Sequence, residues 1–408
     1  MAELPAIAIE GPRGVGKTAT AARRAATSYY LDDPAHRAIA EADPQLLLSG
    51  ERPVLIDEWQ RVPAVWDAVR RAVDRGVGPG SFLLTGSATP AASPTHSGAG
   101  RIVSVRMRPM TISERGVETP LVTVSSLLSG RRNEFSGSTN ITLTDYVREI
   151  VCSGYPGIRV LSGRALRRQL DGYAARIIDT DFEEQGHPVR RPEILSAWIT
   201  AYAAATATTA SFETIRDAAT GGQGEKPAKT TTQPYRDVLQ KLWILDPVLP
   251  WLPSRNMLRR LGQSPKHHLA DPALAVRALG LEEEALLTGN EPASRVPKDG
   301  TLLGNLFESL VSLCVRVYAQ ASEAHLRHFR LHGGRREIDL IIERSDRKVV
   351  AMEVKLSGTV HDGDVDNLLW LREQIGGDLL DAIVVNTGPY AYRRPDGIGV
   401  VPAALLGA

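Results

Sequence analysis

Ile7-Ala8-Ile9-Glu10-Gly11-Pro12-Arg13-Gly14-Val15-Gly16-Lys17-Thr18 decides the fold of the first third of the chain. The apolar run at 7–9 reads as a short buried strand. The residues after it fit G-x-x-x-x-G-K-[ST], a spacing with a mechanical purpose. The glycines let backbone N–H groups approach a phosphate, the lysine reaches the β- and γ-phosphates, and the hydroxyl ligates Mg²⁺. A helix starting near Lys17 and running to about Ala26 adds its N-terminal dipole. Gly11, Pro12, Arg13, Gly14, Val15, Gly16, Lys17 and Thr18 are therefore the candidate cradle for ATP, with Mg²⁺ on Thr18.

Working outward, Pro53-Val54-Leu55-Ile56 is a second strand and ends in Asp57-Glu58. That placement suits Asp57 to an Mg²⁺-linked carboxylate and Glu58 to the base that orients and deprotonates water. A solvated turn is the plainer alternative. Phe82-Leu83-Leu84-Thr85 is a third strand. At its C-terminal edge Thr85 could touch the γ-phosphate or the attacking water, or simply start a turn. Ile102 to Val105 reads as a fourth strand, and Val65 to Val73 as an amphipathic helix. Continuous apolar strands alternating with helices predict a parallel sheet covered on both faces. Arg101, Arg106 and Arg108 are candidate arginine fingers, acting in cis or from a neighbouring copy, or else exposed arginines on a strand edge.

Further along, Thr89 to Ala99 and Glu118 to Asn140 read as irregular. Leu143 to about Ile178 is helical, broken at Ser153-Gly154-Tyr155-Pro156-Gly157. Ile194 to Thr220 reads as one or two helices, Gly221 to Lys229 as a flexible turn, and Thr230 to Leu245 as another helix. The apolar Trp243 to Trp251 stretch follows. That order suits a winged helix-turn-helix or a plain helical lid with a β-tail. The last block starts with a helix at Leu303 to Tyr318. Strands follow at Leu326–Leu331, Glu337–Glu343, Val349–Val354 and Ala382–Asn386, with a helix around Val365 to Ile375. Period-two geometry puts Glu353 and Lys355 on one face, and an adjacent strand brings Asp339 beside them. Asp339 and Glu353 are candidate metal ligands, with Glu308 on the preceding helix as a further one. Lys355 would orient the nucleophile for phosphodiester hydrolysis. Gly333-Gly334-Arg335-Arg336 could hold a phosphate backbone or form a solvated hairpin turn.

With 408 residues, two to three domains are expected. The division read from the sequence is a nucleotide-binding core at 1–120, a helical or winged-helix region at 140–255, a connector at 256–300 and a second α/β module at 301–408. A net charge of +1 gives no overall polyelectrolyte signature, so a nucleic-acid face would have to be local. The two cysteines, Cys152 and Cys314, lie far apart, which argues against a zinc site or disulfide scaffold and fits a reducing cytoplasm. No signal peptide is expected. The apolar stretch Ala197 to Ala210 falls short of the roughly 20 residues of a membrane span.

Gly11 to Thr18, Val54 to Gln60, Leu84-Thr85-Gly86-Ser87-Ala88 and Arg108 to Glu114 together resemble prokaryotic AAA-like ATPases whose C-terminal domain is similar to PD-(D/E)XK nucleases. The resemblance continues through Thr231 to Trp251 and through Ser264-Pro265-Lys266-His267-His268-Leu269-Ala270-Asp271-Pro272-Ala273-Leu274. It implies an AAA-type ATPase core, a winged-helix middle and a restriction-endonuclease-like end. The order of an acidic helix, a strand aspartate and a strand ExK maps onto Glu308, Asp339, Glu353 and Lys355. Two departures stand out. Little chain precedes the first strand, leaving few elements to contact adenine, and His267-His268 replaces the family's usual aromatic residue. The expected partner is DNA, with a protein partner and a homo-oligomer also open. The expected action is ATP hydrolysis driving conformational change on DNA, with metal-dependent cutting by the C-terminal domain. In the alternative, that domain binds DNA or a protein without cutting.

Overall fold

A computed structural model describes residues 3–86, 98–220, 229–253, 264–288, 302–331 and 334–408. Ser87-Ala88, most of the Thr89–Ala99 loop, most of the Gly221–Lys229 turn and part of the 256–300 connector lie outside them, as does Gly333.

The first block contains β1 (Ala6–Glu10), α1 (Lys17–Ala22), β2 (Thr27–Tyr30), α2 (Pro34–Ala42), β3 (Val54–Asp57), α3 (Ala64–Asp74), β4 (Phe82–Gly86) and β5 (Val103–Arg106). Its strands form a wholly parallel sheet in the order β2-β3-β4-β1-β5. Alternation along the strands buries both faces, as the apolar runs predict. Ala6, Ala8, Val54, Ile56, Phe82 and Leu84 pack with Trp59, Val65, Trp66 and Val69 on one side. Ile7, Leu55 and Leu83 pack with Ala21 on the other. The strand β2 was not anticipated. Thr27-Ser28-Tyr29-Tyr30 is polar and half-buried at the sheet edge, so it carries no apolar signal.

The stretch 118–140, expected to be irregular, holds β6 (Val122–Thr123), α4 (Val124–Leu128) and β7 (Gly137–Ser138). The helical region follows with α5 (Leu143–Val151), α6 (Pro156–Arg159), α7 (Gly163–Arg176), α8 (Phe182–Glu184), α9 (Pro192–Ala204), α10 (Phe212–Ala219) and α11 (Lys229–Lys241). A capping box formed by Thr142 and Asp145 starts α5. After α11 the chain turns back on itself. Val248 and Lys266 exchange backbone hydrogen bonds at 2.9 Å each way, and Asp246 N–H donates to His268. Thr206, just after α9, bridges His267 in parallel. Then come α12 (Pro272–Ala278) and α13 (Glu283–Thr288).

The last block begins with α14 (Leu302–Ala321) and continues through β8 (His325–Arg330), β9 (Glu337–Glu343), β10 (Val349–Val354), α15 (Asp366–Ile375), β11 (Leu379–Asn386), β12 (Tyr390–Arg393), β13 (Gly399–Pro402) and β14 (Leu406–Gly407). The sheet order is β7-β12-β13-β11-β10-β9-β8. Leu306, Phe307, Leu310 and Val311 of α14 cover one face, packed with Leu340, Ile342, Val350 and Met352. Leu368 and Leu371 of α15 cover the other, with Ile341, Ala351 and Val384. By length and composition α14 could cross a membrane, and it outranks the 197–210 stretch singled out from the sequence. In the fold, 83% of that window is buried inside the protein.

These blocks are not beads on a string. Strand β7 joins the C-terminal sheet through β12, and β14 pairs in parallel with β6. The helical region and the C-terminal block also share one continuous apolar core.

Candidate functional site

The loop between β1 and α1 is shaped by close approach. A Cβ at Gly11 would lie 2.2 Å from the Met107 carbonyl oxygen. Gly16 has φ 100, which L side chains resist. Lys17, 5% exposed, donates to the Gly11 carbonyl at 2.9 Å and to the Pro12 carbonyl at 2.8 Å. Burial pulls its ammonium down to about 8, against the opposing charges of Glu58 and Asp57. Thr18 Oγ1 donates to Asp57 Oδ1 at 2.8 Å. The buried Thr85 hydroxyl donates to that same oxygen. Register explains the meeting, because Asp57 of β3 is paired with Thr85 of β4. Burial raises the Asp57 carboxyl, and the two hydroxyls oppose this. Glu58 follows in the left-handed region at φ 54 and accepts a hydrogen bond from Gln60. Hydroxyl and carboxylate oxygens are the hard donors that Mg²⁺ prefers. Thr18 and Asp57 fit that ion, which would neutralise charge on bound phosphates.

Arg13 behaves differently from the other loop residues. Its guanidinium leaves the cradle and forms ion pairs with Asp181 and Glu184 of the helical region. Its carbonyl accepts from the Tyr173 hydroxyl at 3.1 Å. None of the three arginine-finger candidates is uncommitted here. Arg101 pairs with Asp74. Arg106 and Arg108 both pair with Asp246, at 2.9 and 2.8 Å, and Arg316 of α14 joins them at 2.7 Å. The Asp246 carboxyl is buried, which alone would raise its pKa. Arg316, Arg108 and Arg106 outweigh this and hold it far below the usual range. Sequence reading missed Asp246 altogether.

The C-terminal carboxylates converge as expected. Met352 of β10 lies opposite Leu340 of β9, so the strand ends carrying Asp339 and Glu353 are neighbours. Asp339 Oδ2 accepts from the Val354 N–H at 2.9 Å, and Lys355 Nζ lies 3.4 Å from Glu353 Oε2. Glu308 approaches from α14. Between them sits a residue with no role in the sequence reading. Lys266 Nζ is 2.8 Å from Glu308 Oε1, 2.8 Å from Asp339 Oδ1 and 3.2 Å from Glu337 Oε1. Burial alone would lower the Lys266 ammonium, but Asp339, Glu308 and Glu337 hold it well above its ordinary value. Burial raises Glu308 to about 8, against the pull of Lys266. Among the described residues, no group of three or more His, Cys, Asp or Glu side chains is disposed to hold a metal ion. With the Lys266 ammonium on Glu308 and Asp339, the arrangement does not fit the expected metal at Glu308, Asp339 and Glu353. Of the basic turn beside it, Arg336 donates to Asn367 and lies over the Trp370 ring.

Residues 3–115 match the family model of an AAA domain. Residues 143–285 and 303–406 match two domains of unknown function, DUF8612 and DUF4143. Uncharacterized proteins of Mycobacterium bovis and Mycobacterium tuberculosis are each 26% identical over 363 residues, spanning 87% of this chain and 71% of theirs. A Walker-type ATPase of Pyrococcus abyssi aligns with 67% of this chain and 91% of its own at 17% identity and a TM-score of 0.37. The parallel sheet, the glycine loop at the end of β1 and the domain match agree that residues 3–115 form an AAA-type P-loop ATPase domain.

Proposed function

We propose that the chain is an ATP-hydrolysing switch that changes conformation on DNA. The observation that carries the hydrolytic reading is the Thr18–Asp57–Thr85 hydrogen-bonded chain at the loop, with Glu58 next to it. In this arrangement Lys17 is turned onto the loop's own carbonyls, and a bound nucleotide's β- and γ-phosphates would draw it away. Glu58 is the base for the attacking water. In an ATPase assay, Lys17→Ala and Glu58→Gln are each expected to lower turnover by orders of magnitude. Undiminished turnover in both would sink these roles.

The DNA reading draws support from the order α9, a bridge at Thr206, α10, α11 and the hairpin 244–250/264–270, which is the sequence of parts in a winged helix. In that reading α11 is the recognition helix, and Lys241 is exposed near its end. Duplex binding followed by anisotropy should weaken with salt and in Lys241→Glu. With Arg106 and Arg108 held by Asp246, an arginine finger would come from a second copy. A non-cutting C-terminal domain is favoured over a nuclease because an ammonium, Lys266, already sits on the candidate carboxylates. Mg²⁺- or Mn²⁺-dependent cleavage of DNA that disappears in Asp339→Ala would reverse that preference.

A further inference from the structure

We infer that Lys266 is the resident cation of the C-terminal carboxylate cluster, and that the docked hairpin thereby closes the cluster to divalent metal. The inference deepens the non-cutting reading and explains it chemically. Lys266 comes from a different part of the chain than the carboxylates. It lies on the returning strand of the hairpin, fixed on both backbone sides by Val248. The hairpin is in turn stitched to the C-terminal sheet. Trp251 N–H donates to the His328 carbonyl at 2.6 Å, and His328 N–H donates to the Leu249 carbonyl at 3.0 Å. Only 2% of Lys266 is exposed, so its ammonium has no solvated position to retreat to while the hairpin stays docked.

The ammonium and a metal would need the same lone pairs. Lys266 uses Glu308 Oε1 and Asp339 Oδ1, the oxygens that would face a bound ion between α14 and β9. The remaining Asp339 oxygen accepts from Val354 N–H. Further cations offset the cluster's negative charge, since Lys355 lies beside Glu353 and Arg330 beside Glu337. Mg²⁺ binds oxygens at roughly 2.0–2.1 Å in near-octahedral order and dehydrates reluctantly. It would have to displace a buried ammonium from three carboxylates, which leaves that charge unpaired in the interior.

The test is Mn²⁺ binding to the full nucleotide-free chain, read by loss of the free-ion electron paramagnetic resonance signal and by thermal shift. Wild type should show no binding that depends on Asp339. Lys266→Met should gain a Mn²⁺ site roughly 100-fold tighter than anything in wild type. The ion should raise its melting temperature, and adding Asp339→Asn should abolish the gain. Should Lys266→Met not fold, Lys266→Gln, which removes the charge and leaves every carboxylate in place, serves instead. A folded lysine variant that gains no Mn²⁺ overturns the inference. So does a wild type whose Mn²⁺ binding vanishes in Asp339→Asn. DNA cleavage is scored separately, so a wild type that binds the ion yet cuts nothing sinks the lysine assignment while leaving the non-cutting reading intact.

Discussion

Asp246 gathers three guanidinium groups onto one buried carboxylate, with Arg106 also lying 4.6 Å over the Trp243 ring. Two arginines come from the end of the ATPase domain, one from α14, and the aspartate from the hairpin. Removing the carboxylate strands buried cations, which typically costs about 3–5 kcal/mol. Asp246→Ala is therefore expected to lower the unfolding free energy read from urea denaturation by a margin of that size, whereas exposed Asp32→Ala should barely move it. The folded pKa of Asp246 is depressed, so its contribution is complete above the unfolded value near 4 and erodes as pH falls below it. Sequence could not show this. Arg106, Arg108, Asp246 and Arg316 share no motif spacing, and only the fold brings them together. Lys266 was hidden for the same reason, although its Ser-Pro-Lys segment was recognised. Lys17, Thr18, Asp57 and Thr85 were legible because each sits on a short loop or at the end of an apolar strand, where local pattern alone sets position.

The hairpin and strand β8 hold buried histidines. The His267 ring lies 5.0 Å from both Tyr202 and Phe212, and its Nε2 is 2.7 Å from the Ala210 carbonyl oxygen. Burial lowers His267 to about 4 and His328 to about 3. Both are held neutral, below an unfolded value near 6.5. Their contribution is complete above pH ~6.5. It is lost as pH falls toward the folded values, because only the unfolded chain takes up those protons. The melting temperature should thus decline between about pH 6.5 and pH 4, and His267→Phe should flatten that decline. An unchanged slope would mean that His267 is not held neutral. At this scale the long elements were readable, because α3, α14, β9 and β10 each carry several apolar positions in register. Strands β6 and β7, two residues each, carry no periodicity at all. Strands β12 and β13 went unread too, and Tyr390 and Tyr392 of β12 point to solvent.

At the scale of the molecule, the P-loop is tied to the helical region through Arg13, Asp181 and Glu184. Asp181 is buried, but Arg13 and Glu184 are partly solvated, and that solvated half of the link is weak enough for a ligand to reset. Hydrogen exchange in residues 173–184 should rise when ATP binds Glu58→Gln, and Arg13→Ala should produce the same rise without nucleotide. Protection unaltered in both would separate the loop from these helices. The interleaving of the blocks was not legible in the sequence, since pairing of β7 with β12 and of β6 with β14 leaves no local trace. That interleaving has a consequence for biosynthesis. The segment carrying β6 and β7 leaves the ribosome well before its partner strands, β14 and β12. The ATPase sheet can close while synthesis continues, but the C-terminal sheet cannot complete itself until β12 and β14 have emerged. A ribosome-bound nascent chain should accordingly resist protease over its first hundred or so residues and remain cleavable between Val122 and Ser138 until β12 and β14 have emerged from the ribosome.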